Sequence, residues 1–179
     1  MVHTRRVACF VLVGGWPASG KTTLARALAV ELQMPCLSKD EVKEALLDAL
    51  GAAATVAESR RIGTAAVHCV LRVARGLDGA VIDSTWFDYA LPLVNELPGI
   101  KVEIRCAAAL EVVRDRFVSR RRDARHLDLE RAEDELWAEP VAPLGVGPFI
   151  EVDTNRPVDV SSLAQAVRDA AAEAERPNA

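Results

Sequence analysis

Gly15-Trp16-Pro17-Ala18-Ser19-Gly20-Lys21-Thr22 is the stretch on which the reading of this chain turns. It fits the pattern G-x-x-x-x-G-K-[ST] at every fixed position. The glycines let the backbone curl until successive N–H groups point inward and form a concave anion nest. Lys21 adds a point charge for phosphate oxygens. The Thr22 hydroxyl is a hard oxygen of the kind Mg²⁺ prefers. Gly15, Ala18, Ser19, Gly20, Lys21, Thr22 and Thr23 are therefore the expected phosphate-binding set.

The flanks agree with that reading. Residues 7–13, Val-Ala-Cys-Phe-Val-Leu-Val, are an unbroken apolar run, as in a strand buried on both faces. After the loop, Leu24, Ala25, Leu28, Ala29 and Leu32 recur at helical spacing. Strand, loop and helix follow in the required order, and the helix N-terminus adds its dipole to the anion site. Further out, strands are predicted near 7–13, 35–38, 79–83, 101–106 and 149–152. Helices are predicted near 21–33, 40–50, 56–75, 88–97, 108–122, 128–138 and 160–174. Such alternation implies an α/β domain on a parallel sheet. Ser38-Lys39-Asp40-Glu41 has the form of a capping box at the start of the second helix. Gly51 and Gly76 are expected to close the second and third helices. One domain over residues 1–175 suits a chain of 179 residues, with an Arg-rich stretch at about 114–138 as a small helical lid.

Composition narrows the partners. A net charge of −4 argues against general nucleic-acid binding. Cys9, Cys36, Cys69 and Cys106 are widely spaced and form no C-x-x-C, so they read as small buried apolar residues in a reducing cytoplasm. His3, His68 and His126 are too scattered to assemble a zinc site. Arg5 and Arg6 before an apolar run resemble a short secretory leader, but cleavage near Ala18 would cut the phosphate loop. No stretch approaches the ~20 apolar residues of a membrane span. The expected location is cytoplasmic.

Ligands of open α/β sheets sit at the carboxyl ends of the strands. That rule gathers the phosphate loop, Ser38–Asp40, Asp83–Trp86 and Asp153–Pro157 into one crevice. Asp83 ends the apolar segment Ala80-Val81-Ile82, where an acid can hold Mg²⁺ together with Thr22. Ser84 follows it, not the glutamate that motor-type ATPases use to activate water. Asp40 has two readings from spacing alone. It either takes the proton of an attacking hydroxyl or merely complements a helix dipole, with Ser38 as the cap. Arg114, Arg116, Arg120, Arg121, Arg122 and Arg125 crowd one segment. Arg120 and Arg125 are the residues expected to neutralise a transferring phosphoryl group. Thr154, Arg156 and Pro157 are placed beside the nucleotide base. Trp16, Asp83 and Trp86 border the acceptor position, although Trp86 reads equally well as core.

The segments G-G-W-P-A-S-G-K-T-T-L-A, L-S-K-D-E-V-K, V-I-D-S-T-W and E-V-D-T-N-R-P-V-D resemble bacterial small-molecule kinases of the phosphate-loop class, often labelled AAA family ATPase or predicted kinase. More distantly, the chain is similar to chloramphenicol phosphotransferase, zeta toxins and the kinase domain of polynucleotide kinase. The resemblance implies a three-layer fold on a five-stranded parallel sheet of order 2-3-1-4-5, with ATP and Mg²⁺ as cofactors. It also implies an aspartate base after the second strand, here Asp40, and lid arginines within Arg114–Arg125. The expected activity is transfer of the γ-phosphate of ATP to a hydroxyl of a small molecule, either a metabolite or an antibiotic. One alternative is a nucleotide or polynucleotide 5′-hydroxyl kinase. Another, of a different class, is a nucleotide-dependent regulatory switch with weak turnover, its GTPase form weakened by the lack of an N-K-x-D segment. The residues name neither the acceptor nor the oligomeric state.

Overall fold

The computed structural model describes residues 7–119, 127 and 141–176. Five strands are formed by β1 (Cys9–Gly15), β2 (Cys36–Ser38), β3 (Gly79–Asp83), β4 (Ile100–Ala107) and β5 (Phe149–Asp153). They lie in the order β2-β3-β1-β4-β5, and every neighbouring pair is parallel. The helices are α1 (Lys21–Leu32), α2 (Lys39–Leu50), α3 (Val56–Ala74), α4 (Leu91–Asn95), α5 (Leu110–Ser119) and α6 (Val160–Glu175).

Alternation along β1 explains the layering. Val11 and Val13 face one side of the sheet, where they meet Leu24 and Leu28 of α1 and Leu163 and Val167 of α6. Phe10 and Leu12 face the other, against Val67, Val70 and Leu71 of α3 and Val94 of α4. All four β1 side chains are at most 1% exposed. Each such burial stabilises by about 1.5–3 kcal/mol, so the central strand is held rigidly. Its carboxyl end, where the phosphate loop begins, inherits that rigidity. The fold is a three-layer α/β phosphate-loop fold.

Several local expectations are corrected. The helix expected over 88–97 is a 3₁₀ turn at Asp88–Ala90 followed by the short α4. Pro92 fits only the first turn of a helix, which fixes the start at Leu91, and Pro98-Gly99 ends it. α3 ends at Ala74, where Arg75 N donates to the Leu71 carbonyl and Gly76 N to the Val73 carbonyl, so Gly76 helps close the helix without a left-handed turn. The capping box does not form. Ser38 occupies the N-cap of α2 with no side-chain cap bond, and its hydroxyl is committed elsewhere. Among the cysteines only Cys106 is buried, and Cys69 is exposed. The apolar face of α3 runs through Ala66, Val67, Val70 and Leu71, and Cys69 falls on the opposite side. Arg120, Arg125 and the expected helix over 128–138 lie outside the described residues. Among the described residues, no helix is long and apolar enough to cross a membrane.

Candidate active site

The phosphate loop needs backbone that ordinary residues avoid. Gly15 has φ 144°, Gly20 has φ 87° and Ala18 has φ 62°. A Cβ on Gly15 would sit 2.6 Å from Ser19 Oγ and 2.8 Å from the Cys106 carbonyl oxygen, so only glycine fits there. Within the loop, Ser19 N donates to the Trp16 carbonyl at 3.1 Å. Lys21 Nζ donates to the same carbonyl at 3.3 Å. Trp16 thus serves the loop through its backbone, with its ring half-buried. A cavity of about 310 Å³ opens over this turn, lined by Ala18, Gly20, Lys21, Thr22, Thr23, Arg116 and Ser119.

Asp83 is delivered to the same place by β3, whose five residues are all buried. It is 2% exposed. Ser38 Oγ donates to its Oδ2 at 3.3 Å, and the Thr22 hydroxyl bonds to the same carboxyl. The second oxygen, Oδ1, is buried with no hydrogen-bond partner among the described residues. Burial pushes the carboxyl above its ordinary range, and the Lys21 charge and the Thr22 and Ser38 hydroxyls pull back against that. A buried carboxylate oxygen left unpaired costs on the order of a few kcal/mol. Such a cost is relieved by a cation. The donors here, one carboxylate and a neighbouring hydroxyl, are hard oxygens few in number, which fits Mg²⁺ completed by phosphates and water.

Asp40 stands in the first turn of α2, and its charge is felt at Asp83. Its Oδ1 pairs with Lys39 Nζ at 3.1 Å, with the two side chains 28% and 22% exposed. An ion pair this accessible adds at most ~1 kcal/mol to stability, so its main effect is to orient the carboxylate. Ser38 stands at the N-cap of α2 with its hydroxyl bonded to Asp83, and Asp40, in the first turn, also complements the helix dipole. One turn on, Lys43 is 2% exposed and donates to Ser59 Oγ of α3 at 2.7 Å.

The turn after β5 reaches the loop from the other side. A Cβ on Gly20 would lie 3.9 Å from Thr154 Cβ. Thr154 is fixed by two bonds to the Ala107 carbonyl, from its N at 2.8 Å and its Oγ1 at 3.1 Å. Arg116 Nη2 donates to the Thr154 carbonyl at 3.0 Å. Arg156 is tied to Asp153 with its side chain 82% exposed, and Pro157 is exposed. Trp86 is not a wall of the crevice. It is 5% exposed, belongs to the α3-side core and packs on Gly14, where a Cβ would meet its ring at 2.8 Å.

The site therefore brings together Lys21, Thr22, Thr23, Asp83, Asp40 and Thr154, and removes Trp86 to the core. Sequence reasoning missed Arg116 as a cavity residue and Ser38 and Lys39 as partners of the two carboxylates. Arg116 is singled out by packing. It lies three residues after Val113, the buried residue of α5, and hence on the inner face of that helix.

Comparison with known proteins follows the same lines. A family model described as AAA domain matches residues 10–138. The chain belongs to this AAA-domain, phosphate-loop kinase-like family. A candidate kinase from Chloroflexus aurantiacus superposes with a TM-score of 0.77 at 30% identity, covering 92% of this chain and 99% of that one. A sugar kinase from Janibacter sp. (TM-score 0.64, 17% identity, 95% and 99% covered) shares the fold. So does a shikimate kinase from Acinetobacter baumannii (TM-score 0.54, 19% identity, 97% of each chain). Among curated sequences, uncharacterized proteins of Mycobacterium tuberculosis (Rv2004c) and Mycobacterium bovis (Mb2027c) are 35% identical over 124 residues, 61% of this chain. The chain spans about a quarter, 25%, of the length of these relatives.

Proposed function

We propose that this AAA domain is a cytoplasmic ATP-dependent phosphotransferase acting on a hydroxyl of a small molecule. The carrying observation is the phosphate loop, whose Lys21 and Thr22 line a cavity, together with the buried Asp83 carboxyl whose Oδ1 has no partner among the described residues. The backbone of 15–22 and Lys21 hold the triphosphate. Thr22 and Asp83 hold Mg²⁺, which supplies charge neutralisation at the phosphates when bound. Asp40, steadied by Lys39, accepts the acceptor's proton. As it does so, a bond forms between the acceptor oxygen and the γ-phosphorus. The bond from that phosphorus to the β–γ bridging oxygen breaks, and ADP leaves. Arg116 and Thr154 border the nucleotide. Arg120 and Arg125, in the Arg-rich stretch 114–138 of a single domain 1–175, are assigned to the transferring phosphoryl group.

The Chloroflexus aurantiacus structure described as a kinase, 30% identical, supports this reading at the level of reaction class. The test is Asp40→Asn. Isothermal titration with Mg·ATP should show unchanged affinity. Transfer of γ-phosphate to the acceptor should fall ~10²–10⁴-fold, the usual worth of a general base. Wild-type turnover in that variant would remove Asp40 from the mechanism.

A further inference from the structure

Two lysines flank Asp40 on α2. Four of the 22 basic residues of the chain are lysines: Lys21, Lys39, Lys43 and Lys101. Of these, Lys39 and Lys43 sit one residue before and three residues after Asp40. Lys39 and Lys43 are four residues apart and Asp40 and Lys43 three apart, spacings that share a helix face. That face looks onto α3, since Lys43 Nζ bonds Ser59.

Lys39 is the accessible member. Its ammonium has three donors, and among the described residues it pairs with Asp40, at 3.1 Å. The tip of Lys39 lies over Gly63 of α3. A Cβ there would be 3.6 Å from Lys39 Nζ, 3.7 Å from its Cε and 4.0 Å from Lys43 Cδ. Glycine is the poorest helix former after proline. Inside the 19-residue α3, Gly63 packs against the Lys39 tip and the Lys43 stem at ordinary contact distance.

Resting on the phosphotransferase reading, we propose that the acceptor is an anionic alcohol, a hydroxylated carboxylate or phosphate ester, whose charged group is bound by Lys39 with Lys43 behind it. The proton-accepting carboxylate and the anion-binding ammonium then stand side by side. Binding of the acceptor's charge would set its hydroxyl against Asp40 in one orientation. A neutral alcohol would leave Lys39 paired, among the described residues, with Asp40 alone and be discriminated against.

The test works on a mixture, so the acceptor is found by its charge. A protein-free small-molecule extract of the source cells is split on a strong anion exchanger at pH 8 into retained and flow-through pools. Each pool is incubated with the full chain and γ-³²P-labelled ATP, and new labelled products are counted. The retained pool should support transfer. In a dilution series of that pool, Lys39→Met should raise the apparent KM at least tenfold. Lys39→Arg should restore most of the loss, and titration with Mg·ATP should show both variants binding nucleotide as wild type. Transfer supported only by the flow-through pool overturns the anionic acceptor and leaves the phosphotransferase intact. Transfer with neither pool, while Mg·ATP still binds, overturns both. A Lys39→Met variant with unchanged apparent KM, or with only kcat reduced, shows that Lys39 merely steadies Asp40 and also overturns the proposal.

Discussion

At the residue scale, Asp83 joins the end of β3 to Ser38 and carries a buried oxygen with no hydrogen-bond partner among the described residues. Its position was legible because a strand of apolar residues ending in one acid has few other purposes. Its partners were not. Ser38 looked like a helix cap, and nothing in the local sequence says that its hydroxyl turns away from α2 toward a residue 45 positions on. Arg116 illustrates the same gap. Six arginines within twelve residues are equivalent by composition, and only the packing of Val113 decides which of the described ones faces the phosphate loop. Because Arg116 lines the nucleotide cavity and braces the Thr154 carbonyl, Arg116→Ala is expected to weaken Mg·ATP binding about tenfold, the ~1.5 kcal/mol typical of a hydrogen bond from a charged group. Isothermal titration measures it. An unchanged Kd would show that Arg116 only braces the fold.

The helices are where propensity and tertiary demand can be separated. α1, expected over 21–33, runs Lys21–Leu32 because both its ends are set locally. Its C-cap, Gln33, holds φ 56° while its N–H and that of Met34 close on the Val30 and Ala29 carbonyls. A left-handed conformation costs a residue with a Cβ roughly 1–2 kcal/mol. Gln33→Gly should therefore stabilise the protein by about 1 kcal/mol, read as a higher urea midpoint with unchanged slope. A lower midpoint would show that the Gln33 side chain has a role beyond capping. At the N-terminus of α6, Asp159 accepts from Ser162 N at 3.0 Å and from Ser162 Oγ at 2.8 Å. Those bonds hold its carboxyl below the ordinary value of 3.8. Its stabilising contribution is then complete above that value and lost as pH falls through the lowered one. Asp159→Ala should melt earlier than wild type at pH 7, with the difference closing below pH 3.8. A difference constant with pH would assign the effect to packing. The single helix expected over 88–97 is divided into a 3₁₀ turn and the short α4 because Pro92 fits only a first turn.

Across the whole molecule, the layers control which reactive groups meet solvent. Cys69 is exposed on α3, whereas Cys106 is buried in β4 beneath the phosphate loop. Burial pushes the Cys106 thiol up to about 12, so it carries almost no thiolate near neutrality. Iodoacetamide at pH 8 should label Cys69 in the native protein and reach Cys106 only in denaturant, as mass spectrometry of tryptic peptides would show. Native labelling of Cys106 at the rate of Cys69 would mean that β4 opens readily. By itself, the sequence determined the phosphate loop, the strands and helices that flank it, and the acid at the end of β3. Each of these is encoded by neighbours within a few residues, through hydrogen-bonding geometry and the 2.0 and 3.6 periods. Only the tertiary structure decided that Ser38 and Thr22 share Asp83, that Lys39 steadies Asp40 over Gly63, that Arg116 faces the cavity, and that Trp86 belongs to the core. Those outcomes depend on which strand ends the parallel sheet brings side by side, and contacts between residues dozens of positions apart leave no local trace.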